Sequence, residues 1–199
     1  MPRTQEQFAA MRNTSNQKIR SAAIRLFARK GFAATSIDDI AQAAQLSKGM
    51  VYRHYETKEA LFSSLLADAA EGTLEIIGHM RSSGDPREAI ENIAAEIYEH
   101  MTDGSDFADL MMVMTQRLMS KDIPENDALV DLDVQAIKAG TDMIRRGQEM
   151  GMFGPGDPRE MTVYFFSSIQ GIVMMRFALG EHFRMPGTDV MTAFLYRGL

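Results

Sequence analysis

Apolar residues recur along this chain at helical spacing, and no segment alternates with the period of two that a strand needs. Ile19, Ala22, Ala23, Leu26 and Phe27 fall at i, i+3, i+4, i+7 and i+8, one face of a helix. Ser15 or Asn16 is suited to cap its start and Gly31 to end it. A second helix is predicted from TSIDDIAQAA. There Thr35 or Ser36 caps, Asp38 and Asp39 favour the positive helix end, and Ile37, Ile40, Ala41 and Ala44 form the apolar side. AQLS reads as a four-residue turn, and Ser47 caps a third helix reaching Tyr55. Thr57 caps a long fourth, with Leu61, Phe62, Leu65, Leu66 and Ala69 as its stripe and Ile76 and Ile77 further on.

The later boundaries are marked by composition. DPRE occurs at Asp85–Glu88 and again at Asp157–Glu160: Asp as N-cap, Pro at the first helical position, Glu at the third. The flanks of the two copies do not match, so they are convergent caps and not a repeat. MSKDIPEN separates another pair of helices, GMFGPGDP makes a tight loop, and FRMPGTD precedes a last helix expected over Asp189 to Leu199. The expected fold is all-α, with about nine helices.

Composition narrows the classes. At 199 residues with 45% apolar content the chain can bury a sizeable core. It has no cysteine, which removes disulfides and thiolate chemistry and fits a reducing, cytoplasmic setting. MPRTQEQFAAMRNTSNQ lacks the apolar stretch of a secretory signal. The most hydrophobic window, Met161 to Leu179, contains Gln170 and Arg176, so a largely buried helix is expected there and not a membrane span. The formal charge is -6, but it is unevenly placed. From Met1 to Lys58 there are ten Lys and Arg against four Asp and Glu; the remainder carries eleven against twenty-three. A basic head on an acidic body implies a polyanionic partner for the head.

The head's pattern supplies the geometry for one. Two short helices joined by a tight turn, and covered by the helix before them, make a helix-turn-helix. Ala41 is small where the two helices cross, and Leu46 and Val51 point inward. Ser47, Lys48, Gly49, Tyr52, Arg53 and His54 are left for the exposed end and face of the third helix. Its backbone N–H groups suit phosphate, Lys48 adds a cation, Gly49 allows close approach, and Tyr52 offers a hydroxyl on a rigid ring. Lys58 is expected to reach the flanking strand. Thr35, Ser36 and Ser47 are caps first. Arg53 is open between a solvated charge and a base contact, His54 between packing and a phosphate contact, while Tyr55 is expected in the core.

GFAATSIDDIAQAAQLSKGMVYRHYETKEALF resembles the DNA-binding signature of TetR-family transcriptional regulators. The matching positions are Thr35, Ile40–Ala41, Ser47–Lys48–Gly49, Tyr52, His54–Tyr55 and Lys58–Glu59–Ala60–Leu61, about the first third of the chain. The family's turn glycine is replaced by Gln45. If the position still needs positive φ, that costs about 1 kcal/mol or more, so a slightly remodelled turn is expected.

The resemblance implies a DNA-binding domain over 15–60, with the helix-turn-helix at about 36–55, and a ligand-binding and dimerisation domain over 61–199. It implies that Thr35, Ser36 and Ser47 also touch phosphate. It implies a repressor that binds a near-palindromic double-stranded DNA operator as a homodimer and is released by a small effector. The residues support a dimer. The helix over Met161 to Leu179 has more apolar surface than one chain can cover; Ser167, Ser168 and Gly171 would admit a partner helix, with Met174 beside them and Phe194 on the last helix. An apolar effector cavity is expected at Phe107, Met111, Met114, Met143 and Phe166, although methionines also fill ordinary cores. No metal, cofactor or catalytic role is expected: no His pair sits at i, i+4, and no phosphate loop, nucleophile elbow or HExxH occurs. The alternative is a helical small-molecule-binding or scaffold protein whose basic head meets anionic surfaces non-specifically.

Overall fold

The computed structural model describes residues 5–82, 84–119 and 127–197, excepting the side chains of residues 5–12 and of Arg197. Among these residues there are nine α-helices and no strand. They are α1 (Gln5–Lys30), α2 (Ile37–Ala43), α3 (Lys48–His54), α4 (Lys58–Ser82), α5 (Pro86–Thr102), α6 (Phe107–Leu118), α7 (Ala128–Glu149), α8 (Pro158–Leu179) and α9 (Thr188–Arg197). A short 3-10 turn, Gly180–His182, follows α8. Gly198 and Leu199, and all of MSKDIPEN except Met119, lie outside the described residues.

Local signals set most of the ends. Asp85 accepts bonds from the backbone of Arg87 and Glu88, and Asp157 from that of Arg159 and Glu160, so both DPRE motifs are N-caps. Each such cap stabilises its helix by about 1 kcal/mol. Thr57 caps α4 through the Ala60 amide at 3.0 Å. One cap expectation is corrected. α1 begins at Gln5, so Ser15 and Asn16 are interior to it. Their side chains bond across to the end of α3 instead.

Two apolar clusters organise the chain. The first joins Ile19, Ala23 and Phe27 of α1 with Ile40, Val51, Leu61 and Leu65. The second gathers Ile77, Met80, Ile90, Ile93, Met101, Met143, Phe165 and Val173. α4 belongs to both, entering the first at Leu61 and Leu65 and the second at Ile77 and Met80. The head's core therefore runs past residue 60 into the second turn of α4. A second joint is α6 on α1. Val113 of α6 is buried in the head's cluster, and Gln116 donates its amide to the Ala28 carbonyl at 2.7 Å. Asp106, just before α6, accepts from Ser21 and, at 2.9 Å, from Arg25.

α8 divides lengthwise. Met161, Thr162, Phe165, Ile169 and Val173 face inward and are buried. Val163, Tyr164, Met174, Met175 and Leu179 are exposed, Tyr164 at 52% and Met175 at 49%. Within one chain the helix is thus covered on one side only, and not on most of its faces as its composition predicts.

Candidate nucleic-acid interface

The head holds α3 with Val51 buried and Lys48, Gly49, Tyr52 and Arg53 outward. Ser36 caps α2 as one half of a capping box: its hydroxyl accepts from the Asp39 amide while the Asp39 carboxylate accepts from the Ser36 amide at 2.9 Å. The bonds from Ser36 hold the Asp39 carboxyl below its ordinary pKa. Ser47 caps α3 through the Met50 amide at 3.2 Å. Between them, Leu46 N–H returns to the Ala41 carbonyl at 2.9 Å, and Gln45 sits at φ 57°. That is the left-handed conformation a glycine would adopt. The remodelling expected at Gln45 does not occur, because Leu46 must still turn inward to the core and the backbone bond to Ala41 fixes how.

The predicted interface residues separate into two groups. Ser36, Ser47, Lys48, Gly49, Tyr52 and Arg53 are exposed. Tyr52, at 46%, keeps an aromatic ring in solvent, and the backbone of Gly49 is open: a Cβ built there meets nothing within 4 Å. Lys48 pairs with Asp38 at 2.9 Å, and that bond raises the ammonium's pKa. Both partners are largely solvated, so the pair contributes little and is easily exchanged.

Thr35, His54 and Lys58 point into the head itself. Thr35 is buried and its hydroxyl donates to the Gly31 carbonyl at 2.8 Å. His54 is half-buried, with Nε2 at 2.8 Å from the Ser15 hydroxyl. The spacing predicts that Lys58 reaches a DNA strand; here its ammonium donates to the carbonyls of Phe32 at 2.7 Å and Thr35 at 2.9 Å, and lies 4.2 Å from the centre of the Phe32 ring. The reason is the turn between α1 and α2, whose outward carbonyls have no helical partner and draw the nearest cation.

Sequence reasoning missed the group that ties α3 down. Arg20 of α1 donates to the Tyr55 hydroxyl at 3.2 Å, to Ser64 at 2.6 Å and to the Asp68 carboxylate. Tyr55 in turn donates to Asn16 at 2.7 Å. Ser64 and Asp68 lie at i, i+4 on α4 and so share a face, which is the one trace of this arrangement in the sequence.

In the body, Ser167 is exposed, Gly171 half-buried and Met174 exposed, all on the outward side of α8. Phe194 of α9 packs edge-on against Tyr164 at 4.8 Å between ring centres. Of the five residues expected around a cavity, Met143 is 0% exposed in the body's core, and Phe107, Met111 and Phe166 pack against the same cluster. Met114 is half-buried. An open groove of about 500 Å³ runs elsewhere, along Val130, Val134, Ile137 and Thr141 of α7, and a second of about 440 Å³ lies between α4 and α5; neither is lined by any of the five. No group of three or more potential metal ligands occurs among the described residues.

Comparison with known proteins agrees with this geometry. The family described as bacterial regulatory proteins, tetR family, matches residues 19–65, from the first core residue of α1 to the last head residue of α4. The HTH-type transcriptional regulator YerO of Bacillus subtilis is 29% identical over 150 residues, 74% of this chain; the chain spans half of that relative's length. Among solved structures, the TetR-family regulator PfmR of Thermus thermophilus superposes with a TM-score of 0.67 at 26% identity, covering 91% of this chain and 98% of that one. AibR, solved with isovaleryl coenzyme A and operator DNA, shares the fold, with a TM-score of 0.63 at 19% identity over 90% of this chain and 94% of that one. With the signature residues in a three-helix head and an all-helical body folded as in PfmR, residues 19–65 match the tetR family of bacterial regulatory proteins and the whole chain shares that regulator's fold.

Proposed function

We propose that this chain is a transcriptional repressor of the cytoplasm that binds a near-palindromic DNA operator as a homodimer and is released by a small, mostly apolar effector. The observation that carries the reading is the outer face of α3, where Lys48, Gly49, Tyr52 and Arg53 stand in solvent on a helix of the width a major groove admits. A tyrosine left 46% exposed beside two cations and a bare backbone suits phosphate and base edges better than water. Thr35, His54 and Lys58 serve this surface from behind, by fixing the turn and the end of α3.

The homodimer is supported by α8. Val163, Ser167, Gly171 and Met174 run at i, i+4, i+8 and i+11 along its outward side, with Tyr164 and Phe194 adjoining. This helix, with the turn after it, is the one segment among the described residues long and apolar enough to cross a membrane. Its polar members are engaged within the chain, Arg176 with the Met101 carbonyl and Gln170 with the Thr115 hydroxyl, so a protein partner fits its bare side better than lipid does. The effector site would open among Phe107, Met111, Met114, Met143 and Phe166, where α6 and its methionines can repack. α6 is then well placed as the transmitter, since it is also bound to α1. The complex of AibR with an acyl coenzyme A and DNA supports this pairing of partners by analogy of fold.

The test is selection of duplexes from a randomised pool by the full chain, followed by titration of Lys48→Ala against salt. A recovered near-palindrome, with the slope of log K on log salt reduced by about 1 in the variant, supports the reading. Binding without any sequence preference would replace it with a basic head that meets anionic surfaces non-specifically.

A further inference from the structure

A helix of seven residues is about 10 Å long, so its aim depends on what holds its far end. In α3 that end is Tyr55, the C-cap, whose ring packs against the head's core and whose hydroxyl is bound on both sides. It donates to Asn16 at 2.7 Å and accepts from Arg20 at 3.2 Å. The same guanidinium nitrogen of Arg20 donates to Ser64 at 2.6 Å, and the other to Asp68. Arg20 is itself mostly buried, its side chain 19% exposed. One planar group thus joins α1, the end of α3 and the first three turns of α4. It does so at the opposite end of α3 from Lys48 and Gly49, and it touches none of the residues assigned to the DNA surface.

We propose that Arg20 is a positioning residue for sequence recognition: acting through Tyr55, it sets the angle at which α3 presents Tyr52 and Arg53. This rests on the DNA-binding reading and adds a role to a residue that reading does not use. The physical argument is one of tolerance. Once the Tyr55 end is loose, a tilt of about 10° about the capped N-terminal end moves Tyr52 and Arg53 by more than about 1 Å. A base-edge hydrogen bond works only within a few tenths of an ångström of about 2.9 Å, whereas a lysine on a flexible stem follows a phosphate that has moved. Loosening the far end of α3 therefore removes discrimination between sequences and leaves general attraction to DNA. A lysine at position 20 cannot substitute, because a single ammonium lacks the fixed fork that spans Tyr55, Ser64 and Asp68 together.

The experiment uses the full chain and the duplex it selects from a randomised pool, with a scrambled duplex of equal length as the reference. Kd on both is measured for the wild type, Arg20→Ala, Arg20→Lys and Tyr55→Phe. The expected result is that the ratio of the two constants falls about tenfold in all three variants, with the scrambled-duplex constant within about twofold of wild type. Tyr55→Phe removes only the hydroxyl and decides the matter if Arg20→Ala does not fold. A ratio unchanged in Tyr55→Phe and in the folded Arg20 variants, whatever their melting temperatures, overturns the proposal, since a merely structural role would move stability alone. A parallel loss on both duplexes also overturns it, because that is the signature of a direct phosphate contact. A wild type that selects no sequence removes the DNA-binding reading itself, before any variant is made.

Discussion

The head and the body are both helical, but they hold their helices in different ways. In the head, α2 and α3 are seven residues each, too short to be stable alone, and each is fixed by caps and cross-helix polar bonds: Ser36 with Asp39, Ser47 with Met50, Tyr55 with Asn16 and Arg20. In the body, α7 and α8 are twenty-two residues each and are fixed by packing. Gly147 lies so close to Phe153 that a Cβ there would meet the ring at 2.2 Å, and Gly140 so close to Thr162 that one would meet it at 2.7 Å. The lesson is about where chemistry is carried. A polar scaffold leaves side chains free to face a polyanion, while an apolar one can offer only space or another apolar surface. The surplus of base in the head and of acid in the body follows the same division.

The largest expected effect tests whether the body's interior is filled or is a closed pocket. Met143 is completely buried in the body's core, so Met143→Ala should cost about 2–5 kcal/mol in denaturant unfolding, by the loss of transfer energy and the cavity left behind. Met114 is half-buried and belongs to neither core cluster, so Met114→Ala should cost less than about 1 kcal/mol. Equal and small losses at both would mean that Met143 lines space that is not tightly packed, and would move it from core to pocket wall.

A smaller effect on stability, but a large one on mass, is expected at Gly171. A Cβ built there meets nothing within 4 Å in the single chain, so Gly171→Leu should fold with stability unchanged or slightly raised. If the outward side of α8 packs on a second copy, the same leucine separates the two helices. Light scattering should then report half the wild-type mass at micromolar concentration. A variant that keeps the wild-type mass would place the interface elsewhere, with the groove along α7 the next surface to substitute.

The contrast also explains what could be read from the sequence. The head was legible because its determinants are local: Thr57, Ser47 and Ser36 announce helix starts within three residues of the groups they bind, and the signature spacing from Thr35 to Leu61 lies in one stretch. What escaped was the direction of long side chains. Lys58 reads as a free cation, and only the folded turn brings the Phe32 and Thr35 carbonyls to it. Ser15 and Asn16 read as caps, because a polar run before an apolar stripe looks like a helix start; their true partners are thirty-nine residues away. Arg20, whose contacts are thirty-five to forty-eight residues distant, gave no local sign at all. In the body, the DPRE caps and the loop segments marked where helices begin and end. Such signals do not separate the apolar residues that face inward on α8 from those that face out, since the helix is apolar on both sides.

The smallest expected effect is at the turn itself, where the polar scaffold keeps a local cost. Gln45 adopts φ 57°, the only positive φ of a non-glycine residue among those described. A side chain in that conformation costs roughly 1–2 kcal/mol through contact of its Cβ with the following carbonyl. Gln45→Gly removes that cost but adds freedom to the unfolded chain, which opposes the gain by several tenths of a kcal/mol. The net expectation is a stabilisation of at most about 1 kcal/mol, read as a small rise in melting temperature. Affinity for the selected duplex should not change, because Ser47, Lys48 and Tyr52 lie beyond the turn and the backbone bond from Leu46 to Ala41 already imposes the geometry a glycine would take. A more stable variant that binds the duplex less well would break this account. The exposed amide of Gln45 would then be a DNA contact retained at the expense of stability, and the polar scaffold of the head would include one residue that serves the interface against the fold.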